Sequence, residues 1–135
     1  MTSPTFSTAV AIRAAHHAEN SPHYDRVVFE FTGPVPLIQI QYVDQLLADG
    51  SGLPVPVAGH AILQLTMQGA QAHDPKGNPT APNQITPNLD NVKEVINAGD
   101  FEAVLTYGIG VDHKAELRVL TLADPSRVVV DFLNV

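Results

Sequence analysis

The sequence has no cysteine and no tryptophan, and it sets only 7 lysines and arginines against 14 acidic residues. Without cysteine there is no disulfide framework and no thiolate metal site. A formal net charge of -7 denies the chain the basic footprint that nucleic-acid binding requires. The same charge disfavours anionic membrane surfaces. No apolar run approaches the roughly 18 residues of a membrane-spanning helix. The opening MTSPTFSTAVAIRAAHH lacks both the basic start and the continuous apolar stretch of a signal peptide. Its Ser, Thr and Pro content reads instead as a flexible linker over residues 1–8, left from a longer precursor.

What is present suits one folded domain over residues 9–135. The chain has 135 residues, 44% hydrophobic and 16% charged, enough apolar material for a core and too little charge for disorder. Strands are expected where apolar and polar residues alternate. In residues 26–31, Val27, Phe29 and Phe31 point one way and Arg26, Val28 and Glu30 the other. Ile38, Ile40 and Tyr42 alternate with Gln39 and Gln41, as Leu63, Leu65 and Met67 do with Gln64 and Thr66. Further strands are expected over 9–14, 101–109, 117–122 and 127–132, with turns at Asn20-Ser21-Pro22 and Asp124-Pro125-Ser126. Residues 69–84, GAQAHDPKGNPTAPNQ, form one long polar loop.

One segment reads as a helix. Thr86 is placed to cap it, Pro87 suits its first position, and Leu89, Val92, Val95 and Ile96 recur at helical spacing before Gly99. The sum is a mainly β fold, a β-sandwich of about seven strands in two sheets with one short helix.

The phrase YDRVVFEF (24–31) returns as PSRVVVDF (125–132). Both strands carry valines on both faces, which places them centrally in a sheet. With HHAENSPHYDRVVFEFTG, YVDQLLADGSGLPVPVAG, AGDFEAVLTYGIGVD and LTLADPSRVVVDF in this order, residues 10 to 133 resemble the AMIN-like domain of actinobacterial cell-envelope lipoproteins. That domain is related to the AMIN domain of peptidoglycan amidases. The resemblance implies a small sandwich of two facing sheets with no catalytic role. It would be extracytoplasmic and would bind peptidoglycan or dock an envelope protein. In such lipoproteins a signal peptide and a lipid-bearing cysteine precede the domain. At His16 or His17, beside the DRVVF strand, the resemblance is compatible with a structural hydrogen bond.

Few residues suggest chemistry. His16 and His17 are adjacent and so point to opposite faces of a strand, unable to share an ion. His23, His60, His73 and His113 have no metal-motif spacing, and surface loop positions account for them. No nucleophile motif surrounds Ser51, and no catalytic residue, metal or cofactor is assigned. For wall binding, arginine can grip the carboxylates of stem peptides in a bidentate fork, and an aromatic ring can stack on sugar. The candidate ligand contacts are Arg26, Tyr42, Tyr107, Arg118 and Arg127. Tyr42 and Tyr107 also fit the core, and Arg26 and Arg127 also fit cross-strand pairs with Glu30 or Asp131. The alternatives are a protein-interaction module using the 69–84 loop, without glycan affinity, and a metal-dependent hydrolase built on loop histidines.

Overall fold

Alternating apolar residues make much of the chain extended, in twelve strands among the described residues. A computed structural model describes residues 6–19 and 21–135. The strands are β1 (Ser7–His17), β2 (Tyr24–Thr32), β3 (Leu37–Val43), β4 (Leu46–Leu47), β5 (Pro54–Val55) and β6 (Ala61–Gln68). They continue with β7 (Ala70–Gln71), β8 (Gln84–Ile85), β9 (Val92–Phe101), β10 (Val104–Val111), β11 (Leu117–Leu122) and β12 (Ser126–Leu133). Of the expected linker, residues 1–5 lie outside the described residues, and Ser7 opens β1. Asn20 of the expected turn lies outside them too.

One sheet runs β11-β12-β2-β1-β7 and the second β3-β6-β10-β9-β8, with β4 and β5 a separate hairpin. The two repeated phrases are neighbours at the centre of the first sheet, antiparallel to each other. Antiparallel pairing makes the phrase complementary to itself. Arg26 stands opposite Asp131 and Glu30 opposite Arg127, so in register each arginine faces the acid that closes the other copy, although only Arg26 and Asp131 form an ion pair. Between the sheets lies a continuous core that includes Phe29, Phe31, Phe132, Leu65, Met67 and Tyr107. Each large side chain fully buried there contributes about 1.5–3 kcal/mol.

No described residue is helical, which corrects the helix expected after Thr86. Residues 92–101 are β9, paired to β10 with register shifts at Thr106/Tyr107 and Gly110/Val111. Each bulge inserts one unpaired residue and so converts the strand period of two locally into three. The β9 partners of the core-facing β10 residues are therefore Val92, Val95, Asn97 and Asp100. A twice-bulged strand imitates a helical pattern. Gly99 caps nothing; it leaves room for the Asp49 side chain, which a Cβ would strike.

Buried polar groups tie the layers together. Asp25, fully buried, accepts the Asn91 N–H at 2.7 Å and the Val92 N–H at 2.9 Å, joining the start of β2 to the start of β9 in the opposite sheet. His16 Nδ1 lies 2.7 Å from its other oxygen. The 69–84 segment is fastened rather than loose. Ala70–Gln71 pair parallel to β1, Thr80 Oγ1 donates to the Ala9 carbonyl, and Asp100 accepts the Ala72 N–H and faces His73 Nδ1 at 2.7 Å.

Candidate functional site

The chain has four arginines, Arg13, Arg26, Arg118 and Arg127. Strand periodicity sends them all to one surface. In β2 and β12 the residues Val27, Phe29, Val128, Val130 and Phe132 enter the core. Arg26, Arg127 and Asp131, one position removed, therefore face outward. Register then arranges this outer face in rows across β11, β12, β2 and β1. Arg118, Asp131, Arg26 and Ala15 form one row; Leu120, Val129, Val28 and Arg13 the next; Leu122, Arg127, Glu30 and Ala11 the third. An acidic chain thus concentrates its arginines on one sheet face.

Asp131 organises the first row. Its side chain is 0% exposed, and the Arg26 and Arg118 side chains are 29% and 41% exposed. Arg26 donates through Nε at 2.8 Å and Nη2 at 3.0 Å, one nitrogen to each carboxylate oxygen. Arg118 donates to Oδ2 through Nε at 2.9 Å, and its Nη2 lies 2.8 Å from the same oxygen. Burial pushes the Asp131 carboxyl up, but the hydrogen bonds and charges of the two arginines prevail and hold it below the usual aspartate range. Its bond raises Arg26 in turn, against the cost of burial. Two positive charges share one negative charge, so the cluster keeps a net positive charge. Tyr24 lies beneath, its ring centre 5.3 Å from the Arg26 guanidinium carbon and 5.0 Å from that of Arg118, with His17 stacked on it at 4.8 Å.

The other two arginines differ. Arg13 pairs with Glu30 at 3.0 Å. Arg127 stands opposite Glu30 in register, but Glu30 is engaged by Arg13. Arg127 instead donates to the carbonyls of Pro125 at 3.1 Å and Ala123 at 3.4 Å. Among the described residues it has no carboxylate at ion-pair distance. It is the cation of this face most able to accept an external carboxylate.

The tyrosines lie elsewhere. Tyr107 is fully buried, tilted against Phe29 with ring centres 5.2 Å apart, and donates to the Pro82 carbonyl at 2.8 Å. Its ring offers no face to a sugar, a correction to its candidacy. Tyr42, half-buried, lies on the core side of β3, where its hydroxyl donates to the Ala115 carbonyl at 2.9 Å and accepts the Ala115 N–H at 3.0 Å. It does not meet the arginines. The aromatic that does is Tyr24, two positions before Arg26 and so on the same face. That spacing, like Arg13-Ala15-His17 in β1, was readable, but both residues were missed because neither strand partner was known.

The opposite sheet presents a different exterior. Its β9–β10 part is roofed by the hairpin: Leu46 is buried over Gly108, Asp49 accepts the Thr106 hydroxyl at 3.0 Å, and Glu94 accepts the Ala58 N–H at 2.8 Å. The histidines form separate pairs, His60 with Asp112 at 2.9 Å and His73 with Asp100 at 2.7 Å. Among the described residues no group of three His, Asp or Glu side chains converges on a metal-sized site.

The family model described as AMIN-like domain matches residues 7–134, nearly the whole chain. No curated protein and no solved structure gives a significant match.

Proposed function

The chain belongs to the AMIN-like domain family, and on that premise we propose that it is a non-catalytic, extracytoplasmic envelope module whose arginine face binds peptidoglycan. The ligand groups are the carboxylates of the stem peptides. The supporting observation is the gathering of all four arginines of an acidic chain on one sheet face, with Arg127 unmatched by any carboxylate among the described residues. A guanidinium fork matches carboxylate geometry, and a second arginine on the same row pattern gives the face reach along a peptide. The surrounding charge of -7 repels polyanions that lack a fitting geometry, so selectivity follows from the local pattern. The Asp131 cluster serves as the rigid base of the face, its side chains locked by four short contacts.

The test is co-sedimentation of the domain with isolated peptidoglycan sacculi over a range of salt. Saturable binding that weakens as salt rises is expected. Arg127→Ala leaves the Asp131 cluster untouched. It should weaken binding roughly tenfold, about 1.4 kcal/mol, with the melting temperature unchanged. Absence of sacculus binding by the wild type would refute the glycan-peptide reading.

A further inference from the structure

Strand β3, Leu37-Ile38-Gln39-Ile40-Gln41-Tyr42-Val43, forms one free edge of its sheet. Its seven residues pair with β6 in unbroken register, without a bulge. Among the described residues, no backbone hydrogen bond links it to any other segment. Proteins ordinarily protect such an edge with lysine, proline, a bulge or a covering segment. β3 has no charge and no proline within it, and the roofing hairpin lies over β9 and β10 instead. The opposite edge of this sheet, β8, has only two residues, and the long edge of the other sheet, β11, carries Arg118. Among the described residues β3 is thus the long edge left open to pairing.

The order of residues indicates the partner. Read from either end, β3 is two apolar residues, glutamine, apolar, glutamine, two apolar residues. An antiparallel copy centred on Ile40 sets Gln39 opposite Gln41, Ile38 opposite Tyr42 and Leu37 opposite Val43. The outward row then matches outward and the core-facing row matches core-facing, because residues i and i+2 share a face. Leu37, 74% exposed in the single chain, gains an apolar neighbour.

We infer that the protein forms a two-fold homodimer by antiparallel pairing of β3 with β3 of a second copy, joining their sheets into one. The two-fold axis of such a pair is perpendicular to the shared sheet, so the arginine faces of both copies look to the same side. If these faces bind the wall as proposed above, pairing makes the interaction bivalent. The dimer itself does not depend on that reading and is measured without sacculi.

Sedimentation velocity across a concentration series tests it. The wild type should pass from one species of 14.4 kDa to a species of twice that mass. Gln39→Lys with Gln41→Lys places like charges opposite each other twice and should weaken dimerisation about tenfold or more. Gln39→Lys with Gln41→Glu places opposite charges against each other and should dimerise at least as well as the wild type. The glutamines are exposed, and the second variant carries the Gln39→Lys change of the first, which controls for folding. A wild type that stays monomeric throughout overturns the inference. So do two variants that both dimerise like the wild type, or two that both stay monomeric.

Discussion

Replacing Asp131 by alanine removes the carboxylate around which Arg26 and Arg118 are built, leaving two guanidinium groups side by side on the sheet. The cost follows from burial. Breaking a fully buried ion pair by removing one partner costs about 3–5 kcal/mol, because the remaining charge has neither partner nor water. Here the carboxylate is fully buried, but the arginine side chains are 29% and 41% exposed and can hydrate once released. Discounting for that solvation by about half gives roughly 2 kcal/mol, a fall in melting temperature of about 6–8 °C for a domain of this size. The loss is pH-dependent with a definite sign. The folded Asp131 carboxyl is held below its ordinary value of 3.8, so its contribution is complete above that value and is lost as pH falls through the folded one. Thermal melts of wild type and Asp131→Ala at pH 7 should differ by the full amount, and the curves should converge as pH falls through the lowered folded value. No change in melting temperature at pH 7 would refute the argument by showing that the cluster is solvated decoration. A loss above about 5 kcal/mol would refute it too, since the face would then be closed to water and to ligand.

Two other perturbations probe the joint between the sheets. Asp25→Ala strips acceptors from two buried N–H groups, those of Asn91 and Val92. At about 1–3 kcal/mol each, chemical denaturation should register a loss of about 4 kcal/mol, and no such loss would mean that water replaces the carboxylate. His16, raised above 6.5 chiefly by its hydrogen bond to Asp25 and despite desolvation, should titrate above 6.5 in a nitrogen-15 NMR pH series. The stability its proton supplies is full below 6.5 and disappears as pH rises through the raised value. The difference in melting temperature between wild type and His16→Gln should therefore shrink with rising pH, and a pH-independent difference would contradict the assignment.

Much of the fold was legible because strand periodicity is a local property. The eight strands of six or more residues are the seven read from alternation plus β9. β9 looks helical in sequence because its bulges give Val92 and Val95 a helical interval, and a bulge exists only relative to a partner strand. The central position of the repeated phrases was likewise visible in their two-sided valines. Residue type alone marks Arg26, Arg118 and Arg127 as suited to carboxylates, whereas an aromatic such as Tyr107 suits a sugar platform and a core equally, and the core claims it.

The sequence by itself determined which residues alternate, hence which side chains in each strand share a face, and it determined the chain's negative charge and its few arginines. Tertiary structure alone decided that β2 and β12 lie side by side, that Asp131 serves both Arg26 and Arg118, and that Arg13 takes Glu30 and leaves Arg127 unmatched. The reason is physical. Alternation fixes a side chain's direction within its own strand, but pairing between strands 105 residues apart is set by the packing of the whole core.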